Sequence, residues 1–511
     1  MRDSSGAKST ALAFNGITKR FANFLANDRI SLTIGHGEIV ALLGENGAGK
    51  TTLMNILFGH YRADEGSIEV FGQPLPPGSP KAALKAGIGM VHQHFALAGN
   101  LTVLDNLMLG TEPLHHLHSR RAEARRRIQT LADELAFKVD VDARVGDLSV
   151  GERQRVEVLK VLYRNARTLI LDEPTAVLFP DEAKSLFALL RRLAERGRTI
   201  IFISHKLHEV LALAHRVVVL RQGKLVADRP VADTSAKELA EHMVGRAIKP
   251  TLLPPCAAGQ PVLAMKGITL SRRNGTVALD GINLTVHANE IVGVAGVSGN
   301  GQSELASVVE GLSAPDSGTL TLFGERVRRF DPAGMIARNV GRIPEDRHQT
   351  GVAAALPLWE NAILEQYRMP AYSRHGWRRI AAARRAAAQL VRDFDIRCPG
   401  ESVRTALLSG GNMQKVILGR VMSRSPRFIV ASHPTRGLDI GAIEYVHEKI
   451  IAARMSGAGI LLISDDLDEI MQLSDKVIVI YQGRASQAFD RQELRMEEIG
   501  MAMTGGGSRA H

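Results

Sequence analysis

Three glycines around one lysine, in Gly44-Glu45-Asn46-Gly47-Ala48-Gly49-Lys50-Thr51-Thr52, form the segment of this chain best suited to chemistry. Glycines let backbone N–H groups wrap phosphates, and a helix opening at the lysine adds partial positive charge. Lys50 can reach the β- and γ-phosphates, and the Thr51 hydroxyl can ligate Mg²⁺. A second constellation, Asp172-Glu173-Pro174-Thr175, closes an apolar run. One carboxylate can hold hydrated Mg²⁺ while the next orients or deprotonates an attacking water. Together they point to hydrolysis of a nucleoside triphosphate.

Such groups need a scaffold that ends strands beside helix starts. Short Ile/Val-rich runs at 39–43, 169–171, 199–203 and 217–220 read as buried strands, with longer mixed segments between them as helices. That alternation predicts an α/β layer structure with parallel strands. The pattern occurs twice. GEIVALLGENGAGKTTL from Gly37 matches NEIVGVAGVSGNGQSEL from Asn289 at an offset of 252, and DLSVGERQRVEVLK from Asp147 matches LLSGGNMQKVILGR from Leu407 at 260. About eight extra residues therefore lie between these points in the second copy. The expected domains are 11–246 and 262–502, joined by a linker at 247–261 that contains four prolines.

The 511 residues suffice for two to four domains with sizeable cores. Two cysteines, Cys256 and Cys398, are too few and too distant for a disulfide framework or Cys-rich metal site. No stretch nears the ~18 apolar residues of a membrane-spanning helix, and the N-terminal residues lack a signal-peptide core. The net charge of +11 is spread along the chain. Its richest runs, from Ser119 and over Arg374 to Arg392, read as solvated helix faces.

Leu148-Ser149-Val150-Gly151-Glu152-Arg153-Gln154 resembles the signature motif of ABC-type ATPases, and Leu408-Ser409-Gly410-Gly411-Asn412-Met413-Gln414 resembles it more closely. The resemblance spans nearly all of both copies. It implies tandem P-loop ATPase domains, each with a mainly parallel sheet, a helical signature subdomain and an antiparallel β region, using ATP and Mg²⁺. It further implies that Gln93 is the Q-loop glutamine, ligating the metal with Thr51 and Asp172. His205 would be the switch histidine facing the γ-phosphate, and Phe21 the aromatic stacked on adenine, with Phe24 as its competitor.

Along the second copy, Lys50 becomes Gln302, Asp172 becomes Ser432, Glu173 becomes His433, His205 becomes Asp465 and Gln93 becomes Glu345. Every change falls on a charge-handling role. Loop glycines Gly296, Gly299 and Gly301 remain, so this copy could still hold nucleotide without hydrolysing it. ABC domains resemble one another in pairing head to tail, each nucleotide lying between one phosphate loop and the other signature. The intact loop would then face Ser409, Gly410, Gly411, Asn412 and the D-loop Asp439. The defective loop would face a signature with Val150 in place of glycine and a D-loop with Phe179 in place of aspartate. One hydrolytic site and one structural or regulatory site per chain are expected.

Three classes compete: the energy-coupling subunit of an importer, a soluble tandem ATPase acting on ribosomes, and a DNA-acting ATPase. The short linker argues against the ribosomal class, and the lack of heptads or Cys clusters against the DNA class. MVHQHFALAGNLTVLDNLMLG and DEPTAVLFPDE resemble the nucleoside branch of the simple-sugar and nucleoside importers. That resemblance implies purine nucleosides, with ribose- or galactose-type sugars as the alternative. Its implied partners are two integral-membrane permeases and an extracytoplasmic binding protein, with no nucleic acid, and its implied place is the cytoplasmic face of the membrane. Segments 92–106 and 342–358 are the expected permease contacts.

Overall fold

The computed structural model describes residues 9–22, 24–92, 95–111, 120–135, 137, 139–175, 180–204, 206–247, 253–272, 274–296, 299–491 and 496–503. The chain divides into two compact units, Met1–Ile248 and Lys249–His511. In the first, a six-stranded sheet runs in the order Lys224–Pro230, Arg216–Arg221, Ile39–Leu43, Thr199–Ile203, Thr168–Asp172, Ile88–Val91. All neighbours are parallel except the first pair. The sequences IVALL, TLILD and TIIFI are buried along their full length, as strands covered on both faces must be. A second, antiparallel sheet pairs Thr10–Phe21 with Phe24–Gly35 and with Glu65–Val70.

The second unit repeats the plan. Its parallel strands run Val340–Ile343, Phe428–Ser432, Gly459–Ile463, Ile291–Gly296, Lys476–Tyr481, beside an antiparallel sheet built on Pro261–Ser271. In each unit the phosphate-loop strand is central, so its C-terminal end opens where the parallel strands all point. Its first N–H is fixed by a side chain from the neighbouring strand's entry: Ile39 N donates to His215 Nδ1 at 3.1 Å, and Ile291 N to Asp475 Oδ2 at 2.8 Å.

Arg454 reinforces that anchor in the second unit. Its side chain is 1 % exposed and forks onto both Asp475 oxygens at 2.7 and 2.8 Å. A further N–H reaches the Pro254 carbonyl at 2.8 Å, so the middle of the proline-rich segment is tied to this arginine. Breaking a buried ion pair from one side leaves a charge uncompensated, at a cost of ~3–5 kcal/mol. Arg454→Ala is therefore expected to lower the urea midpoint of the second unit's unfolding while Arg454→Lys lowers it less, as read by circular dichroism.

Candidate functional site

The first phosphate loop is held by backbone in places where no side chain fits. Gly44, Gly47 and Gly49 adopt φ of 148°, 82° and 99°. A Cβ on Gly44 would lie 2.2 Å from the Leu220 carbonyl oxygen, and one on Gly49 2.2 Å from that of Ala26. Asn27, fully buried, donates from Nδ2 to the Gly49 carbonyl at 3.1 Å. Helix Lys50–Phe58 starts there without an acidic residue in its first turn, which leaves its positive end for an anion. The Lys50 ammonium curls back to donate to the carbonyls of Gly44 and Glu45 at 2.7 and 2.9 Å. Thr51 is exposed at the helix start with Thr52 after it in the helix, and Glu45, Asn46 and Ala48 complete the turn before it.

Asp172 ends strand Thr168–Asp172 and is buried. Its carboxyl is pushed up to about 6, first by burial, then by Glu173, with Lys50 acting in the opposite sense. A buried acid crowded by a second one accommodates a cation well. Asp172 and the exposed Thr51 hydroxyl are hard oxygen donors of the kind that would suit a hydrated Mg²⁺. Such an ion would neutralise charge between β- and γ-phosphates. Glu173 sits at φ 47°, its N–H donating to the Ile203 carbonyl at 3.0 Å. A left-handed glutamate costs about 1–2 kcal/mol. Its counterpart His433 keeps φ 44° and the same bond, to Ile463 at 2.7 Å.

Phe21 and Phe24 face each other at the tip of the first hairpin, 41 % and 57 % exposed, so neither belongs to the core. Phe21 packs edge-on against Tyr61 with centroids 5.4 Å apart, and Lys19 Nζ lies 5.4 Å from the Phe21 ring. Tyr61 adds a third exposed aromatic that sequence reading did not single out. Gln93, His205 and Phe179 lie outside the described residues.

In the second unit, Ser409 caps helix Gly410–Met422 and Asn412 Nδ2 donates to the Ser409 hydroxyl at 3.0 Å. Asp439 caps Ile440–Met455 by accepting from Ala442 N at 2.8 Å. Between these two motifs stands Arg347, donating to the carbonyls of Arg436 and Gly437 at 2.6 and 3.2 Å. A Cβ on Gly410 would come within 3.0 Å of its guanidinium, whereas Gly411 would meet only Ala442 at an ordinary 3.5 Å. Across the repeat, no arginine stands between Gln93 and Asn106, and Val150 stands where Gly410 does. Arginine and glycine thus occur together in one copy and are replaced together in the other.

The second unit's own loop has lost its charges as read from the sequence. Gln302 and Ser432 are buried, with Gln302 Nε2 and Ser432 Oγ unpaired among the described residues. Asp465 does not stand as a bare negative charge: His433 Nδ1 lies 3.2 Å from its carboxylate, and this hydrogen bond keeps Asp465 below the usual range. Histidine and a carboxylate have exchanged places along the sequence: His433 stands for Glu173 and Asp465 for His205.

Two recurring supports escaped the sequence reading. Buried Glu209 accepts from Thr175 Oγ1 at 2.6 Å and Ser204 Oγ at 3.2 Å; Glu469 does the same for Thr435 and Ser464, both at 2.7 Å. Buried Asn106 accepts from Ala98 N at 2.8 Å and donates to the Ala98 carbonyl at 3.0 Å, as Asn361 does with Ala353 at 2.8 and 3.0 Å. These asparagines brace the chain at Ala98 and Thr102 in one segment and at Ala353, Leu356 and Pro357 in the other. The Asp105-Asn106 and Glu360-Asn361 pairs were a visible signal in the repeat.

A duplicated phosphate-loop ATPase, with one copy carrying the charges and the other the glycine-rich signature, is the class of protein these features define. The chain belongs to the ABC transporter family, whose model matches residues 27–176 and 279–436. It is 42 % identical over 503 residues to a nucleoside import ATP-binding protein of Lactococcus lactis, covering 98 % of this chain and 99 % of that one. Identity is 44 % to a guanosine import ATP-binding protein of Bacillus subtilis, over 96 % of each chain. A glucose import ATP-binding protein of Haloferax volcanii is 43 % identical, covering 97 % of this chain and 96 % of that one.

If Arg347 holds the signature and D-loop in register, Arg347→Ala lowers ATP turnover by roughly ten- to hundred-fold through misplacement of reacting groups. The KM for ATP is expected to stay unchanged and Arg347→Lys to recover part of the rate. Steady-state phosphate release reads both; a parallel loss of thermal stability and of KM would mark a purely structural role.

Proposed function

We propose that this chain is the ATP-hydrolysing subunit of an importer for nucleosides, purine nucleosides first among them. The observation that carries the ATPase part is the asymmetry of the repeat. Lys50, Asp172 and Glu173 gather at one strand-end site, while their counterparts Gln302, Ser432 and His433 carry no comparable charge. In this reading the first phosphate loop binds Mg-ATP against Ser409, Gly410, Gly411, Asn412 and Asp439 of the second unit. Lys50 holds the phosphates, Thr51, Asp172 and Gln93 hold the metal, Glu173 activates water, and His205 contacts the γ-phosphate. Phe21 stacks on adenine, where an aromatic face is worth ~1–3 kcal/mol. Preferential binding of ATP to the closed pair drives closure, and hydrolysis reopens it.

Two integral-membrane permease subunits and an extracytoplasmic binding protein complete the machine, with this chain at the cytoplasmic face. Among the described residues no helix is long and apolar enough to cross a membrane, so the pore belongs to other chains in this reading. Segments 92–106 and 342–358 are the permease contacts, with Asn106 bracing Ala98 in the first and Asn361 bracing Ala353 in the second.

The substrate rests on local wording shared with nucleoside importers, and the Lactococcus and Bacillus relatives support it. The Haloferax relative, at 43 % identity, favours a simple sugar as the second reading. Uptake of labelled adenosine, guanosine, uridine, ribose and galactose by cells with and without the gene separates them. Loss of nucleoside uptake alone supports the first, and loss of sugar uptake alone replaces it.

Two variants test the single hydrolytic site. Glu173→Gln removes the general base and is expected to cut phosphate release by at least ~10²-fold, whereas His433→Ala leaves it within about twofold, since the residue holds no charge-handling role at the intact loop. Equal losses from both would overturn the one-site mechanism. Phe21→Ala is expected to weaken ATP binding by roughly tenfold or more, measured by equilibrium dialysis; unchanged affinity would shift the role to Phe24 or Tyr61.

A further inference from the structure

Residues 366–392 contain seven arginines (368, 374, 378, 379, 384, 385 and 392), one histidine and no aspartate or glutamate. Part of this run departs from the helical expectation. Ser373–Arg374 pairs with Trp377–Arg378 as a hairpin, and helix Ile380–Asp393 begins only afterwards. His375 and Gly376 at the turn have φ of 51° and 82°, the two left-handed residues that a tight two-residue hairpin requires. This turn puts the Trp377 indole 81 % into solvent, the most exposed large hydrophobic side chain among the described residues. Tyr367, Met369 and Ile380 are also exposed. Backbone bonds from Ser373 N to Met369 O and from Arg379 N to Tyr372 O, both 2.8 Å, hold these residues in one patch.

The arginines are only partly spoken for. Arg378 pairs with Glu360 at 2.9 Å and Arg368 lies over the Tyr367 ring. Arg374, Arg384 and Arg385 have no carboxylate partner among the described residues. A rigid tip bearing an indole, flanked by aliphatic side chains and unpaired guanidinium groups, matches the requirements of a lipid–water interface. Indole is apolar in body and polar at its N–H, and basic side chains meet anionic headgroups.

We propose that the Ser373–Arg378 hairpin and the first turns of helix Ile380–Asp393 dock on anionic phospholipid, with Trp377 and Ile380 entering the headgroup–acyl boundary. Single-sign charge sets the sign of the partner. The aliphatic Met369 and Ile380 beside the indole favour lipid over nucleic acid, because they offer bases no stacking face but gain by leaving water. The contact is independent of which solute is imported and of which copy hydrolyses ATP.

The chain's two tryptophans make the test direct, because Trp359 is 8 % exposed and already apolar in surroundings. Full-length protein is mixed with vesicles of phosphatidylglycerol and phosphatidylethanolamine, or of phosphatidylcholine alone, and followed by tryptophan emission and co-sedimentation. A blue shift and pelleting with the anionic vesicles, reversed by high salt, are expected. Trp377→Ala should remove the shift and weaken pelleting at least about tenfold, as should Arg374→Ala, Arg384→Ala and Arg385→Ala combined. ATP turnover of Trp377→Ala in solution, equal to the parent's, shows that the variant is folded. Equal binding to both vesicle types, binding untouched by these substitutions, or capture by single-stranded RNA with no vesicle binding would each overturn the proposal.

Discussion

The nucleotide site depends on two contacts between backbone and backbone. Gly44 lies against the Leu220 carbonyl and Gly49 against that of Ala26, each too close for a Cβ. Leu220 belongs to the parallel sheet and Ala26 to the antiparallel one, so the loop is clamped where the two sheets meet. Its shape is therefore set by the packing of the whole unit. A flexible loop of the same composition would have to order its N–H groups on binding, whereas here that entropy is lost on folding and not again with the ligand.

The repeat separates frame from chemistry within one chain. A Cβ on Gly296 or Gly301 would lie 2.7 Å from the carbonyl oxygen of Ile480 or Ala278, the left-handed φ persists from Glu173 to His433, and the Glu209 network recurs around Glu469. What changed are the side chains proposed to handle phosphate, metal and water. His433 and Asp465 form a pair that satisfies itself, so Asp465 is not left as a bare charge at a strand end. The frame thus accounts for stability in both units and cannot account for hydrolysis in either.

Local features were legible and tertiary ones were not. The phosphate loop, the strand-terminal Asp172-Glu173 and the runs at 39–43 and 199–203 are written in consecutive residues, and each falls on the element expected. Arg347 could not be read this way, because its partners lie about ninety positions downstream and are carbonyl groups that any residue would supply. Arg374 and Arg378 were read into a helix because Arg–Ala spacing further along has that period; the His375-Gly376 turn overrides it. Asn106 was readable from the repeat, where it recurs as Asn361, but its role needed the fold that brings Ala98 to it.

Arg347 and Gly410 give the asymmetry a physical unit. A glycine at 410 leaves room for the guanidinium, and the guanidinium in turn fixes the carbonyls just ahead of Asp439. The two are coupled: a Cβ at 410 would press on the guanidinium at 3.0 Å, and without the arginine two turn carbonyls lose their donor. In the first copy both are absent: Val150 stands for the glycine, and no arginine occurs between Gln93 and Asn106. Change at either position removes the reason to keep the other, so the signature and the segment after Glu345 are expected to vary as a pair. The permease-contact segment proposed at 342–358 contains Arg347 itself. A push on that segment would be felt first at the carbonyls of Arg436 and Gly437, and through them at Asp439, without requiring the sheet to move.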